Sequence, residues 1–583
     1  MTTSVNEELA EFSRKFRKPA ALLLSLSLVT LVGHAFIPLN EFIHRGDDAY
    51  YYFKVAVNYP KYGFWTFDGI NPTNGVQPLW AMILTATAQL LAWCGITDLN
   101  FTARLFVLET VLCHFVSCML LFRLLSRHVS LAVAIGAAGG LLFPLGIVWT
   151  RVWGMENSLY SVFLLATALF YQEHFRAEGT WKRAAMLGAL LGLTALSRLN
   201  AGLLIPILLA FYLASGRHGN LLRRVQLCFV TGAVASALVL PYFGNNYFST
   251  GHMLPVSGGA KVIRTEQYLA DNNIEGMATG AYWDFLLEIL EDPTEWFVSS
   301  RAMDGSWIAG GRLWDEGAVG YDVLLWTLAI FLLAPILTLR PLDWLRSLGR
   351  VFRRFGPFAY ILVFAIVNAV VSVSLYPFEI TYSIRRWWLA EGELVLTTVM
   401  ATVVASSLAY LGYRLIPKRA WLSVSTVCLA LIVGLSSAST LDHYWDGTPQ
   451  YPDWNWSLND QRYIGALWTN EHLEEDDIIG SWNAGVIGYY SKAHVVNLDG
   501  LINNWEFLDY LDDKNLAGYI RTKKIRYLMD THYEVIKRGG LNLDQELGLY
   551  EMNRRSMKIG KGFRYRDSFF MIYRVPKIQF IGD

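Results

Sequence analysis

The chain has 583 residues, of which 54% are hydrophobic and 17% charged, whereas soluble domains carry about 25% charged residues. Lys and Arg together number 49, as do Asp and Glu, so no basic excess points to a nucleic-acid partner. Apolar runs near twenty residues recur along the chain. Each could cross about 30 Å of hydrocarbon, and none has the short alternating pattern of a membrane β-barrel.

In chain order, Arg14, Lys15, Arg17 and Lys18 precede an apolar run at 19–37, read as a retained first span with its basic end in the cytoplasm. Residues 45–80 follow, RGDDAYYYFKVAVNYPKYGFWTFDGINPTNGVQPLW. They predict a short amphipathic helix with Asp47 and Asp48 at its N-terminus, one of them as N-cap. The tyrosines suit the headgroup level. A turn-rich loop carrying Asp68, Asn71 and Asn74 comes next.

Further apolar segments lie near 78–95, 103–124, 131–149, 158–172, 184–197, 200–215, 225–242, 319–339, 357–375, 390–411 and 421–438, which makes twelve candidates with the first. Basic clusters at Lys182–Arg183, 216–224, 340–356 and 413–419 belong on the inner side. Residues 243–318 and everything after 440 then fall outside. A cytoplasmic N-terminus and an external C-terminus require an odd number of spans. We therefore expect about 11 spans, with one segment between 78 and 149 interfacial or re-entrant, because Arg123, Arg127 and His128 prefer the inside.

This gives a polytopic α-helical membrane domain at 1–440, with external loops at 38–77 and 243–318, and a small extracytoplasmic α/β domain at 441–583. In the latter, IIGSW, AHVVN and IRYLMD read as strands, and NNWEFLDYLDD and KNLAGYIRTKK as helices. GSWNAGVIG reads as a glycine-rich turn, because its spacing is not that of a dinucleotide fingerprint. The five cysteines lie in or beside apolar segments and suggest no disulfide framework. No HExxH, CxxC, GxxxxGK[ST] or GxSxG pattern occurs, which argues against zinc, ATP and nucleophile-elbow sites.

Two adjacent carboxylates at a membrane boundary call for a polar cavity. Glu156 in RVWGMENSLY is expected on the same outer face. So are Arg198 in SRLN, Lys261 and Arg264 in GHMLPVSGGAKVIR, and Arg386 in SIRRWW. These cations run against the inside bias. Each could be a snorkelling headgroup anchor, and together with the acids they suit a phosphate-bearing ligand.

The ordered set resembles the GT-C superfamily of membrane glycosyltransferases, which use polyprenyl-phosphate-linked sugars. GDDAYYYFKVAVN with TFDGINPTNGVQPLW looks like the first-loop signature of bacterial members, including those similar to mycobacterial arabinofuranosyltransferases. GMENSLY looks like their second motif. PVSGGAK at 255–261, RRWW at 385–388 and the patches between 481 and 504 look like later ones. The resemblance implies an inverting glycosyltransferase of EC class 2.4, moving a sugar from a polyprenyl-phosphate donor to a glycan or glycolipid acceptor at the outer face of a bacterial inner membrane. Asp47 would be the general base, with Asp48 a close second. Glu156 would be a third catalytic acid that orients hydroxyls. Lys261, Arg198, Arg386 and Arg264 would hold the donor phosphate. Asp68, Asn71, Asn74, Tyr51, Tyr52, Trp65 and Trp153 would face sugar or acceptor. No cofactor is required on this reading, and a divalent metal is left open. The alternative is a transporter or flippase of lipid-linked saccharide, with the outer acids as relay groups, although transporters usually hold such charges near the midplane.

Overall fold

The computed structural model describes residues 46–129, 152–176, 178–215, 220–271, 358–375, 454–531, 543–551 and 570–576, with isolated positions elsewhere. Most of the expected first span, the expected spans at 131–149, 319–339, 390–411 and 421–438, and the basic stretches at 340–356 and 413–419 lie outside the described residues.

Two long apolar helices anchor the membrane part, α3 (Leu99–Ser126) and α7 (Leu221–Thr250). Between them, α4 (Asn157–Phe170) runs on as a π-helical turn at Tyr171–Phe175. Helix α5 (Trp181–Ser197) then returns, and α6 (Leu204–Ser215) goes back again. Helix α3 packs on α4, α5 on α7, and α6 on α9 (Ala359–Leu375). One end of this bundle gathers the charges. Arg123 and Arg127 pair with Glu173 at 2.8 and 3.3 Å, Arg183 pairs with Glu178 at 2.7 Å, and the Arg223 guanidinium lies 4.1 Å from the Trp181 ring centre.

The segment at 78–95 becomes α2 (Pro78–Trp93). Its sixteen residues reach about 24 Å at 1.5 Å per residue, short of the ~30 Å hydrocarbon core. It follows Gln77, which bonds Leu199 at the end of the bundle opposite Arg123 and Arg183. It ends six residues before Leu99, whose carbonyl accepts from Tyr489 of the C-terminal part. It packs along α1 (Asp47–Tyr62), and Thr87 in its second half donates to Glu109 of α3 at 2.5 Å.

The expected loop at 243–318 starts later than its hydropathy suggests. Helix α7 continues to Thr250, and α8 (Val256–Asp271) follows after a short turn.

The described residues between 454 and 576 form an α/β layer that packs on α1. Helix α10 (Trp454–His472) leads into β1 (Ile478–Ser481), α11 (Gly485–Tyr490) and β2 (His494–Asn497). Helices α12 (Trp505–Asp512) and α13 (Leu516–Thr522) precede β3 (Tyr527–Thr531). A short helix α14 (Leu543–Leu547) leads to β4 (Tyr550–Glu551) and β5 (Phe570–Arg574). The sheet order is β2-β1-β3-β5-β4. The pairs β1–β2 and β1–β3 are parallel, and β5 runs antiparallel to β3 and β4. GVIGYY, expected as part of a turn, is helix α11.

Helix α1 joins the two parts. Gly46 stands at its N-cap without a side-chain cap, and Gly63 closes it in the left-handed region at φ 78°. Neither Asp47 nor Asp48 caps it. They occupy its first turn, where the helix dipole favours anions. Tyr50, Tyr51, Tyr52 and Phe53 are 0, 5, 7 and 0% exposed. The expected lipid-facing tyrosine belt is thus a buried aromatic core. Tyr50 meets Tyr489 at 5.5 Å, and Phe53 meets Phe106 at 5.2 Å. A helix apolar all round its first turns must be covered on every side; α2 and α11 both pack on it.

The closest approach in this junction is at Gly485, where a Cβ would fall 2.0 Å from the Asp47 carbonyl oxygen. Gly485→Ala should therefore destabilise the junction by about 2 kcal/mol, as overpacking does. The expected result is a lower thermal midpoint with faster deuterium exchange across 485–490, while α4 and α5 exchange as before. Unchanged exchange at 485–490 would remove the contact from the account.

Candidate functional site

Successive helical residues point about 100° apart, and residues four apart share a face. In α1 this sets Asp47 with Tyr51 and Asp48 with Tyr52, and the two pairs serve different neighbours.

The first pair faces the α/β layer. The Asp47 carboxylate accepts the Gly485 N–H on Oδ2 and the Val486 N–H on Oδ1, both at 2.9 Å. Burial raises its pKa. The Arg462 charge and those two N–H bonds oppose the rise, and the neighbouring Asp48 adds to it. The Tyr51 hydroxyl lies 3.2 Å from the Trp482 carbonyl and from Asp499 Oδ2, and receives Ala484 N–H and Asn497 Nδ2–H at 3.3 Å each. Burial pushes the Tyr51 phenol well up, as do the charges of Asp499, Asp47 and Asp48 in that order. Of these three carboxylates, Asp499 is the one in hydrogen-bond contact with the phenol. The loop that supplies these N–H groups is itself held by Asp530, which accepts from Trp482 N, Asn483 N and Ser481 Oγ and lies 3.9 Å from Arg462. Asp47, the expected base, thus has both carboxylate oxygens on backbone N–H groups of α11. Its oxygens meet the unsatisfied N–H groups that every helix start presents.

Tyr52, of the second pair, faces the membrane helices. Tyr52 donates to Glu156 Oε2 at 3.0 Å and accepts the Gln77 N–H at 3.1 Å. The Gln77 side-chain oxygen accepts the Leu199 N–H at 3.0 Å. Arg198 donates to Asn157 Oδ1 at 2.8 Å and lies 5.8 Å from the Tyr160 ring centre. Glu156 is 3% exposed and Arg198 6%. Burial first, and then the Glu156 carboxylate, drive the Tyr52 phenol well up, with the Arg198 charge opposing. The cluster exists because the start of α2, the start of α4 and the end of α5 meet at one level. Gly154 makes the turn into α4 possible. It has φ 106°, and a Cβ there would lie 2.4 Å from the Phe53 ring. Its carbonyl accepts from Trp80 at 2.9 Å.

The remaining expected site residues divide. Asp68 is spent on its own loop, accepting from Thr66 Oγ1, Ile70 N, Asn71 N and Asn71 Nδ2. Asn71 also accepts from Asn504, and Asn74 accepts the Val256 N–H at 2.8 Å. These three side chains brace the loop against α8 and α12. Trp65 donates to Thr85, and the Trp153 ring lies against Gly46. Lys261 and Arg264 ride on α8, whose Gly259 packs against Trp505 and Leu508 of α12. Arg198, an expected phosphate-binding cation, bonds Asn157, the neighbour of Glu156 in sequence. Arg386 lies outside the described residues. Among the described residues, no group of three or more His, Cys, Asp or Glu could hold a metal ion.

Sequence reading missed Asp499, Asn497, Gln77, Asn157 and Arg462. Four of these lie inside or beside stretches already singled out: VVNLDG, NGVQPLW and GMENSLY. Arg462, on α10, carried no local signal.

Residues 454–572 match a family described as "Domain of unknown function (DUF8728)". No characterised protein matches the chain by sequence. Among solved structures, the archaeal oligosaccharyltransferase AglB from Archaeoglobus fulgidus, in complex with an inhibitory peptide and a dolichol-phosphate, aligns over 89% of this chain and 70% of its own. The identity is 13% and the TM-score 0.50. The apo form of the A. fulgidus oligosaccharyltransferase aligns over 88% and 70%, again at 13% identity and TM-score 0.50. ArnT from Cupriavidus metallidurans in the apo state covers 97% and 99% at 14% identity, with a TM-score of 0.46 that is too loose to argue from. At such identities the likeness speaks to fold alone, and this chain has the GT-C fold.

Proposed function

We propose that the chain is an inverting membrane glycosyltransferase of EC class 2.4. It moves a sugar from a polyprenyl-phosphate donor to a glycan or glycolipid acceptor at the extracytoplasmic face of a bacterial inner membrane. The observation that carries this reading is the buried Tyr52–Glu156 cluster with Arg198, at the meeting of three helix ends in a GT-C fold. The dolichol-phosphate held by the A. fulgidus enzyme of the same fold supports a lipid-phosphate donor. The arginines at the opposite end of the bundle support a cytoplasmic assignment for that end.

In this reading Asp48 is the general base. Asp47 is held by two backbone N–H groups of α11, whereas Asp48 is the next residue in the same first turn of α1. Asp48 removes the proton from the acceptor hydroxyl as that oxygen attacks the anomeric carbon. Glu156, fixed by Tyr52, orients acceptor or sugar hydroxyls. Arg198 offsets the charge that grows on the departing phosphate. The leaving group is already a stable anion, so a single displacement suffices, and inversion follows. No step is assigned to a metal. Asp47, Tyr51 and Asp499 hold the α/β layer over the site.

The test uses the full chain in lipid nanodiscs with a panel of polyprenyl-phosphate sugars and glycan acceptors. Asp48→Asn should cut turnover by about 10²-fold or more and leave donor binding intact. Wild-type turnover in that variant would remove Asp48 as base.

Arg198→Gln should lower kcat/KM by about 10²-fold, and an unchanged value would take the phosphate away from Arg198. Donor crossing the bilayer of reconstituted vesicles without sugar transfer would replace the enzyme reading with the transporter one.

A further inference from the structure

A cavity of about 170 Å³ lies on the far half of α1, where the helix meets the start of β2 and the turn before β1. Lys54, Lys61, Lys492 and His494 line it, with Asp68 and Glu475. It is built from residues that take no part in the Tyr52–Glu156 cluster. We propose that this pocket is an oxyanion site that takes a phosphate or carboxylate group.

Lys54 and Lys61 stand seven residues apart, on one face of α1. The Lys54 ammonium donates to the Ser491 carbonyl at 3.3 Å, which leaves two of its three N–H bonds for the pocket. Burial, and after it the Lys61 charge, lower its pKa to about 8. Lys492 follows Ser491 on the opposite wall, and its backbone N–H is fixed by Asn470 at 2.7 Å. His494 Nδ1 lies 2.6 Å from the Asp68 carbonyl oxygen. A carbonyl only accepts, so Nδ1 carries the proton and the ring is held in place.

Three lysines face two acids across the lining, so a positive balance remains. The Asp68 carboxylate already takes four donors from its own loop. Glu475 is exposed on the turn at 473–477. At about 30 Å³ per water the cavity has room for one tetrahedral or planar anion with part of the group that bears it. An anion there would relieve the repulsion between Lys54 and Lys61 and restore charge to Lys54.

A phospholipid headgroup and a soluble phosphate or acidic saccharide offer the same chemistry, and two arms of one experiment separate them. The protein is placed in phosphatidylcholine nanodiscs at pH 8, where a lysine of this kind is half deprotonated and reacts readily with an acylating reagent. Mass spectrometry follows acetylation of Lys54. In the first arm inorganic phosphate is titrated against chloride at matched ionic strength. In the second, phosphatidylglycerol replaces part of the phosphatidylcholine and phosphate is omitted.

Saturable protection of Lys54 is expected in at least one arm, about tenfold at a ligand excess of about ten Kd. It should disappear in the Lys61→Gln, Lys492→Gln double variant. Both changes fall on exposed residues and leave Lys54 as reporter. Protection by phosphate identifies a soluble anion, and protection by phosphatidylglycerol alone a headgroup. If Lys54 reacts at the chloride-control rate in both arms, or if protection is undiminished in the double variant, the proposal fails. Neither result bears on glycosyl transfer at Tyr52 and Glu156.

Discussion

Two backbone N–H groups at the start of α11 point at the Asp47 carboxylate of α1, and the placement of the rest of the site depends on that meeting. A helix start always presents N–H groups without intrahelical partners, and a charged acceptor satisfies them best. Here the acceptor belongs to a segment 438 residues away in sequence. The bond fixes the rotation of α1 about its own axis. Once Asp47 and Tyr51 face the α/β layer, helical geometry turns Tyr52 toward Glu156 at the start of α4.

The cost of the arrangement lies in desolvating carboxylates, and the protein meets it by layering donors. Asp47 has two amides and the Arg462 charge. Asp530 has two amides, a hydroxyl and the same arginine. Asp499 takes the Leu501 N–H beside Tyr51. Buried acids of this kind are tolerable only when their lone pairs are met. The consequence is that the β1–α11 loop cannot move without uncovering Asp47, Asp530 and Tyr51 together. The α/β layer is therefore a fixed wall of the site.

Much of this was legible beforehand, and the failures share a cause. The strands β1, β2 and β3 sit on IIGSW, AHVVN and IRYLMD, because apolar runs bounded by turn residues report strands locally. The motif resemblance pointed to the fold that the structural likeness supports. What misled was exposure. AYYYF has the composition of an interfacial belt, and only the docking of α11, from the far end of the chain, makes it a core. Asp68 and Asn74 look available as ligands until their loop partners are counted. Arg462 belongs to a polar helix with no motif around it, so its place beside Asp47 and Asp530 follows from the tertiary fold alone.

On the proposed reading, with Asp48 as base, the doublet Asp47–Asp48 divides two tasks that a single acid would have to combine. A base must be able to change protonation during each turnover, and a carboxylate that clamps two buried N–H groups would loosen its clamp whenever it took a proton. Assigning both tasks to one residue would couple catalysis to transient undocking of the α/β layer. Adjacent positions on a helix divide the tasks, because they lie next to each other along the axis yet face about 100° apart. Tyr51 and Tyr52 repeat the same division one turn later, the first with its hydroxyl among Trp482, Ala484, Asn497 and Asp499, the second with its hydroxyl on Glu156.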